Sequence, residues 1–338
     1  MSARAEAIVS SLHGALRGMP PAGLVAADVD GFFERQRPAI VTMFERVLAQ
    51  REAKRAAATP PELWTESKRT AANLAAMSLL ASKAADQMTP EDRRVLLSYS
   101  GWGGLSISKV AGKFPAGFPV PEAKGLLHEY YTPMRVWSAV QRRLRPLADG
   151  LPKNTEGKIL TLEPSAGIGR APLAFGSWPE LAWTLCEVSP VSSKLLRALY
   201  PESIVAEGYA ESWFARMAAT RMGSFGLIVA NPPYGVRGEA AELDPTGYPT
   251  KQAYVYFVER CAEFLAEKGI MVQVIPTGLM TSRKPEFVRA RSELLRRTHL
   301  LAAYRLPSEP EEGADKSEIG YDNFVVDVLF LQGRGGVA

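Results

Sequence analysis

The chain has 338 residues, of which 46% are hydrophobic and 22% are charged, so it can bury a full core. Its formal charge of +4 is too small to demonstrate a polyanionic partner. Its two cysteines and three histidines do not stand at metal-ligand spacing, which predicts free buried thiols and no metal site. The N-terminus lacks an apolar signal core and no segment has the roughly 20 apolar residues that span a bilayer, so we expect a cytoplasmic protein without membrane contact.

The first third of the chain is predicted to be helical. Ala, Leu, Arg and Glu dominate it, and apolar positions recur at helical spacing, as in ESKRTAANLAAMSLLASKAADQM. Thr89, followed by Pro90 and two acidic residues, indicates a capped helix start, and the glycines of GWGGL (residues 101–105) must end that helix. We therefore predict a helical N-terminal region over residues 1–118.

Beyond the Pro- and Gly-rich link KFPAGFPVPEAKG, short apolar runs alternate with helical stretches. The predicted strands are residues 158–163, 181–187, 203–207, 225–230, 270–276, 300–306 and 323–332. The predicted helices between them are residues 170–176, 190–200, 254–269 and 285–297. Strands separated by helices are typical of an α/β fold with a doubly wound, mostly parallel sheet, here over residues 119–338. No helix separates the last two runs, so we expect them to pair as an antiparallel hairpin.

Small residues follow the first predicted strand, in LEPSAGIG, which ends at Gly169. Such a turn lets a ligand approach the backbone closely and presents amides at a helix N-terminus. The dinucleotide fingerprint is not met, because Arg-Ala-Pro follows Gly169; this disfavours NAD and leaves a smaller nucleoside-bearing cofactor as an alternative. Glu187 ends the second strand about 20 residues later, where doubly wound folds place an acid that accepts hydrogen bonds from ribose hydroxyls.

The fourth strand ends in NPPY, at the edge where open α/β sheets bind ligands. Pro232 and Pro233 stiffen this corner and hold its carbonyls out. The side-chain oxygen of Asn231 and the carbonyl of Pro232 could accept both N–H bonds of a planar amine and aim its lone pair at an electrophile. Tyr234 would stack on the planar group. The alternative interpretation is a rigid turn that only ends the strand.

The combination of these stretches resembles a known family. EPSAGIG followed by NPPY is similar to motifs I and IV of the amino-group S-adenosylmethionine-dependent methyltransferases. Upstream, HEYYTPMRVWSAV resembles motif X of the N6-adenine DNA methyltransferases, in the gamma order X, I, IV. LLSYSGWGGL, YRLP and VVDVLFLQ further resemble the methylase module of large methylase/helicase proteins of phages and mobile elements. The resemblance covers roughly residues 65–333 and implies a Rossmann-like methyltransferase fold after the helical region.

The resemblance also implies a role for each matched residue. The residues implied to bind S-adenosylmethionine are Tyr131, Thr132, Pro133, Glu163, Pro164, Ser165, Ala166, Gly167, Glu187 and Asn231. The residues implied to hold and activate the target base are Asn231, Pro232, Pro233 and Tyr234. The Tyr-Thr-Pro segment would line the methionine end of the cofactor, the turn after the first strand would hold its amino acid moiety, and the acid after the second strand would hold its ribose.

Three stretches of the sequence each allow two interpretations. Many relatives have a Gly-Asp pair after the third strand, whereas this chain has AEGYAESWF, in which Tyr209 or Glu211 would take the adenine-contacting place. The basic residues of SRKPEFVRARSELLRR either touch phosphates or form a solvated helix face. Trp102 of GWGGL either packs two domains together or contacts cofactor or DNA.

The expected function is methyl transfer to the N6 amine of adenine in DNA, of the restriction-modification type, with the adenine flipped out or single-stranded. The alternatives are an adenine in RNA or a protein glutamine as acceptor, and a catalytically silent cofactor- or DNA-binding regulator of the anti-restriction type. Gamma-type enzymes usually carry a target-recognition domain beyond the last strand. We expect the N-terminal helices, a fused or separate helicase or specificity partner, or low sequence specificity to take its place.

Overall fold

The computed structural model describes residues 3–20, 23, 25–57, 61, 64–120, 131–244, 250–306 and 325–334. The chain divides into two compact units between Pro60 and Pro61. In the first unit, helices α1 (Ala3–Gly18) and α2 (Ala26–Ala57) share a small core. Residues 61–118 belong to the same compact unit as the sheet. The structure divides the chain at residue 60, and a domain boundary at residue 118 stays a prediction.

The second unit alternates strands and helices after two initial helices. Its helices include α3 (Glu66–Ser82), α4 (Pro90–Leu97), α5 (Met134–Leu144), α6 (Arg170–Ala174), α7 (Pro190–Leu199), α8 (Ala210–Arg221), α9 (Ala253–Phe264), α10 (Gly278–Thr281) and α11 (Pro285–Arg297). Its strands are β1 (Ile159–Glu163), β2 (Leu181–Glu187), β3 (Ile204–Glu207), β4 (Phe225–Ala230), β5 (Leu265–Pro276), β6 (Thr298–Arg305) and β7 (Val326–Gly333).

The strands form one seven-stranded sheet in the order β3-β2-β1-β4-β5-β7-β6. The pairs from β3 to β5 are parallel, and β7 runs antiparallel to both β5 and β6. This confirms the predicted mostly parallel sheet and the predicted antiparallel pairing of the last two strands. The order reverses between β1 and β4, and such a switch point is where doubly wound sheets bind ligands.

Helices cover both faces of the sheet. One core lies between the sheet and helices α8, α9 and α11, and a second lies on the opposite face under α5 and α6. A strand between two such cores needs apolar residues on both sides, and all six residues of β4 are buried. This double coverage explains why β4 appears in the sequence as a continuous apolar run.

Helices α3 and α4 and the GWGGL loop pack against α7 in a third core. Buried Asn73 of α3 donates from its amide to the carbonyl of Gly101 at 2.7 Å, and its oxygen accepts from the amide of Ser100 at 2.9 Å. Trp102 is buried in this core beside Phe114, at a ring distance of 4.9 Å. Its position favours the packing interpretation of this tryptophan.

One helix is missed by the sequence prediction, and another ends earlier than predicted. Helix α8 is not predicted, although apolar residues at positions 213, 214, 217 and 218 have helical spacing. Helix α9 ends at Phe264 instead of residue 269, because Leu265 already pairs with Phe225 of β4 and Lys268 has a left-handed φ of 61°. A residue in that conformation cannot continue a right-handed helix.

The remaining global predictions concern thiols, metals and membranes. Cys186 and Cys261 are free and buried, as predicted. In the described ranges, no group of three His, Cys, Asp or Glu side chains lies close enough to hold a metal ion. None of the helices in those ranges combines the length and the hydropathy needed to cross a bilayer.

A buried ion pair fixes the loop that connects β4 to α9. The carboxylate of Asp244 accepts from Nε of Arg260 at 2.7 Å and from the hydroxyl of Tyr256 at 2.5 Å. The two charged side chains are 0% and 2% exposed. Removal of one partner leaves the other charge buried, which is far more costly than removal of a surface pair.

We expect Asp244→Ala to lower the free energy of unfolding by about 3–5 kcal/mol, measured by urea denaturation. Glu91→Ala is the control, because Glu91 and Arg94 form an ion pair in which both side chains are more than 70% exposed. This second change should cost less than about 1 kcal/mol. Equal losses in the two variants would contradict a stabilising role for the buried pair.

Candidate functional site

The carboxyl ends of β1, β2 and β4 bring the predicted site residues together. β1 ends at Glu163, β2 ends at Glu187, and β4 ends one residue before Asn231. The hydroxyl of Ser165, in the turn after β1, donates to the main-chain oxygen of Asn231 at 3.1 Å. The glycine turn (residues 164–169) and the NPPY corner (residues 231–234) are therefore in direct contact.

The glycine turn depends on two residues without side chains. Gly167 and Gly169 have φ values of 54° and 76°, in the left-handed region that favours glycine. A Cβ atom on Gly167 would lie 2.6 Å from the ring of Tyr131, and one on Gly169 would lie 2.3 Å from the ring of Tyr200. The amide of Ala166 also donates to a carbonyl of β2 at 2.9 Å. Both the backbone conformation and the space therefore require glycine here.

Glu187 links the glycine turn to helix α7. One carboxylate oxygen accepts from the amide of Gly167 at 2.7 Å, and the other accepts from the amide of Ser189 at 2.7 Å. These bonds fix the plane of the carboxylate. Each oxygen of an ionised carboxylate can accept more than one hydrogen bond, so the arrangement is compatible with the predicted contact to ribose hydroxyls.

Glu163 is a buried acid beside the same turn. Its side-chain oxygen Oε2 has no hydrogen-bond partner within the part of the chain that the structure describes. Burial, and to a smaller degree the charge of Glu187, raises the pKa of the Glu163 carboxyl well above its ordinary value. Two acids next to one turn make a site that favours a cationic ligand group, because a cation would stabilise the ionised form of Glu163.

The segment from Tyr131 to Pro133 forms a wall of this site. The ring of Tyr131 lies directly against Gly167, and its hydroxyl is 3.4 Å from Oγ of Ser192 in α7. Thr132 is buried, and Pro133 is the N-cap of α5. Residues 128–130 of the same motif lie outside the described residues.

In the NPPY corner, Pro232 is buried and the other three residues are half-buried. The hydroxyl of Tyr234 donates to the side-chain oxygen of Asn231 at 2.7 Å, and it lies 3.3 Å from the carbonyl of Val274 in β5. Tyr234 therefore orients the amide of Asn231 through its hydroxyl, in addition to the stacking role predicted for its ring. The spacing of three residues between the two side chains is the only signal of this contact in the sequence.

The two candidates for the adenine-contacting place differ in environment. Tyr209 is the N-cap of α8 and is 53% exposed at the carboxyl end of β3. Glu211 is buried, and its carboxylate lies 3.8 Å from Nε of Arg237, which also stacks on the ring of Tyr256. Burial raises the pKa of Glu211, although Arg237 opposes the shift. Of the two side chains, that of Tyr209 is the one accessible to a ligand.

Most arginines of the predicted basic stretch contact other parts of the chain. The contacts join Arg289 to Glu259, Arg291 to the carbonyls of Leu279 and Ser282, Arg296 to Glu293, and Arg297 to Glu263. Arg283 and Lys284 precede α11 and are exposed. The contacts favour the interpretation of α11 as an ion-paired helix face over a continuous phosphate-binding surface.

Gly167 and Gly157 provide a matched test of the glycine turn. Gly157 has a φ of 75°, but a Cβ atom there would meet no atom within 4 Å. Alanine should cost about 1–2 kcal/mol at either position because of the left-handed backbone. We expect Gly167→Ala to cost roughly 1–3 kcal/mol more, because it also collides with Tyr131. Urea denaturation measures both values, and equal losses would contradict the close packing of Tyr131 on the turn.

Glu163→Gln tests the buried acid through the pH dependence of stability. The folded-state pKa of Glu163 lies above the unfolded value, so its contribution to stability is present below the unfolded pKa and is lost as the pH rises through the folded pKa. The neutral variant loses nothing in this range. We therefore expect the variant to gain stability relative to the wild type as the pH rises above the ordinary pKa of a glutamate toward the raised folded-state pKa, measured by denaturant midpoints of the ligand-free proteins. A difference that is constant over this range would show that Glu163 titrates normally.

Part of the chain matches a known protein family. Residues 190–310, which include the NPPY corner, match the family model "Eco57I restriction-modification methylase". A comparison with curated protein sequences gave no match.

Solved structures resemble the chain at low sequence identity. One is from Listeria monocytogenes and is described as a class I S-adenosylmethionine-dependent methyltransferase, with a TM-score of 0.50, 11% identity, and coverage of 78% of this chain and 80% of that one. The EcoKI M protein of a type I restriction enzyme gives a TM-score of 0.47, 15% identity, and coverage of 79% and 62%. A type I restriction-modification methyltransferase subunit from Streptococcus thermophilus gives 0.45, 16%, and coverage of 60% and 45%. The Listeria structure and the strand order of the sheet show that the chain has the Rossmann-like fold of the S-adenosylmethionine-dependent methyltransferases, as its sequence predicts.

Proposed function

We propose that this chain is an S-adenosylmethionine-dependent methyltransferase that methylates the N6 amine of adenine in DNA. The observation that carries the proposal is the hydrogen bond between Ser165 and Asn231, which joins the glycine turn to the NPPY corner at the switch point of the sheet. The fold supports the cofactor class. The match of residues 190–310 to a restriction-modification methylase family supports DNA as the substrate class.

The residues at the glycine turn fit this cofactor. S-adenosylmethionine carries an ammonium group, which matches the Glu163 oxygen that has no hydrogen-bond partner among the described residues, and ribose hydroxyls, which match Glu187. Tyr131, whose ring packs on Gly167, and Thr132 would line its methionine end. When bound, the cofactor supplies a methyl group on a positively charged sulfur, which makes that carbon electrophilic.

The NPPY corner would prepare the amine for attack. The N6 nitrogen of adenine is a poor nucleophile because its lone pair is delocalised into the ring. Two hydrogen bonds accepted by the side-chain oxygen of Asn231 and the carbonyl of Pro232 would hold both N–H groups and direct the lone pair toward the cofactor. The hydroxyl of Tyr234 fixes the Asn231 oxygen at 2.7 Å, and its ring would stack on the base.

An adenine in a duplex must leave the base stack to enter such a pocket. A single-stranded or flipped adenine is therefore the expected substrate. Site selection would then depend on other surfaces of this chain, or on a helicase or specificity partner, either fused or separate.

A transfer assay with tritiated S-adenosylmethionine identifies the acceptor. Duplex DNA, single-stranded DNA, RNA and protein are compared, and labelled DNA is hydrolysed to its nucleosides. We expect the label in N6-methyladenine from DNA. Label in RNA or in protein glutamine would replace the proposed substrate. Cofactor binding by calorimetry without transfer to any acceptor would instead support a silent regulator.

Asn231→Ala tests the corner itself. The variant loses the side-chain acceptor, so we expect kcat to fall roughly 100- to 1,000-fold while the Kd for the cofactor changes far less. Asn231→Asp keeps an oxygen at the same position and should retain more activity than the alanine variant. An undiminished rate for Asn231→Ala would remove Asn231 from the proposed mechanism.

A further inference from the structure

Arg170 lies at the junction of two segments of the proposed cofactor site. It follows Gly169 directly and is the first residue of α6. Its side chain is buried, with a residue exposure of 7%. The sequence marks this position only as a departure from the dinucleotide fingerprint.

The guanidinium group of Arg170 binds the main chain of the wall segment. Its Nη1 atom donates to the carbonyl of Tyr131 at 3.1 Å and to the carbonyl of Thr132 at 3.1 Å. Its central carbon lies 5.8 Å from the centre of the Tyr131 ring. One nitrogen therefore joins consecutive carbonyls of a segment that lies about 40 residues earlier in the chain.

This arrangement carries an electrostatic cost. A cation at the N-terminus of a helix opposes the helix dipole, and burial of a charge is unfavourable. Hydrogen bonds from a charged donor are stronger than those from a neutral donor, and the two bonds from Arg170 offset part of this cost. The carbonyls of Tyr131 and Thr132 therefore contribute to stabilising the buried charge of Arg170.

The held segment has little freedom to move without changing the site. The ring of Tyr131 lies so close to Gly167 that a single added Cβ atom would be 2.6 Å from it. Rotation of the two carbonyls away from Arg170 would lift this ring from the glycine turn. It would also reorient buried Thr132, which precedes the N-cap of α5.

We propose that Arg170 is a positioning residue that holds the Tyr131–Thr132 backbone on the glycine turn and so forms the methionine-side wall before the cofactor binds. The identity of the ligand rests on the proposed function. The hydrogen-bonded link between the two segments does not.

Hydrogen exchange of the ligand-free protein tests the link directly. In Arg170→Met, the amides of residues 131, 132 and 134–136 should exchange roughly tenfold or more faster than in the wild type, while the amides of β4 and β5 keep their protection. Arg170→Lys should lie between the two, because an ammonium group lacks the planar fork of donors. Arg94→Met, which removes an exposed arginine of α4, is the control and should leave exchange at 131–136 unchanged.

Cofactor titration tests the consequence. We expect the Kd of Arg170→Met for S-adenosylmethionine to rise roughly tenfold to a hundredfold, and its KM for the cofactor to rise in parallel. At saturating cofactor, kcat should stay within about threefold of the wild type, because Arg170 is not assigned to the amine. If Arg170→Met does not fold, Arg170→Lys carries both tests, with increases of about threefold or more.

The outcomes separate this inference from the proposed function. Unchanged exchange at residues 131–136 in a folded variant would overturn the link. Faster exchange with an unchanged Kd would overturn its role at the cofactor site. A wild-type protein that binds no S-adenosylmethionine would refute the proposed function, and the exchange experiment would still decide whether Arg170 holds the segment.

Discussion

Two hydrogen bonds from main-chain amides to the carboxylate of Glu187 hold the glycine turn beside the start of helix α7. The turn needs a left-handed backbone at Gly167 and Gly169, and a side chain at either position would collide with a neighbouring tyrosine ring. Because the turn is fixed in this way, the hydroxyl of Ser165 reaches the NPPY corner and the ring of Tyr131 reaches Gly167. One carboxylate and two glycines therefore fix the turn that Ser165 and Tyr131 connect to the rest of the site.

Support for the turn also comes from outside the sheet. Ile168, within the turn, belongs to the core that contains Trp102 of the GWGGL loop and Leu195 of α7. Asn73 holds that loop through its backbone. Side chains of residues 64–118 thus pack on Ile168 of the glycine turn, and this contact connects GWGGL with EPSAGIG. A helical segment that only preceded the catalytic domain would have no such contact.

The sequence predicts β1 to β4 to within one residue, because each is a short apolar run bounded by turn residues, whereas β5 begins at Leu265, five residues before its predicted start. It also predicts which turns meet, because carboxyl ends of parallel strands share one edge. It does not predict contacts that depend on side-chain direction. The bond from Tyr234 to Asn231, the pair of Glu211 with Arg237, and the reach of Arg170 to Tyr131 all require three-dimensional positions. The end of α9 is missed for a similar reason, because pairing with β4 decides it.

The central claim is that the glycine turn and the NPPY corner form one site for one transfer reaction. A crystal structure with S-adenosylhomocysteine and a short adenine-containing single strand tests it most directly. The account predicts the amino acid end of the ligand at Glu163, and the adenine N6 on Asn231 and Pro232 at a near-attack position about 3–3.5 Å from where the methyl carbon would sit. Two results would contradict it. One is a set of protein side chains that separates the ligand sulfur from the adenine, and the other is a ligand bound away from the glycine turn.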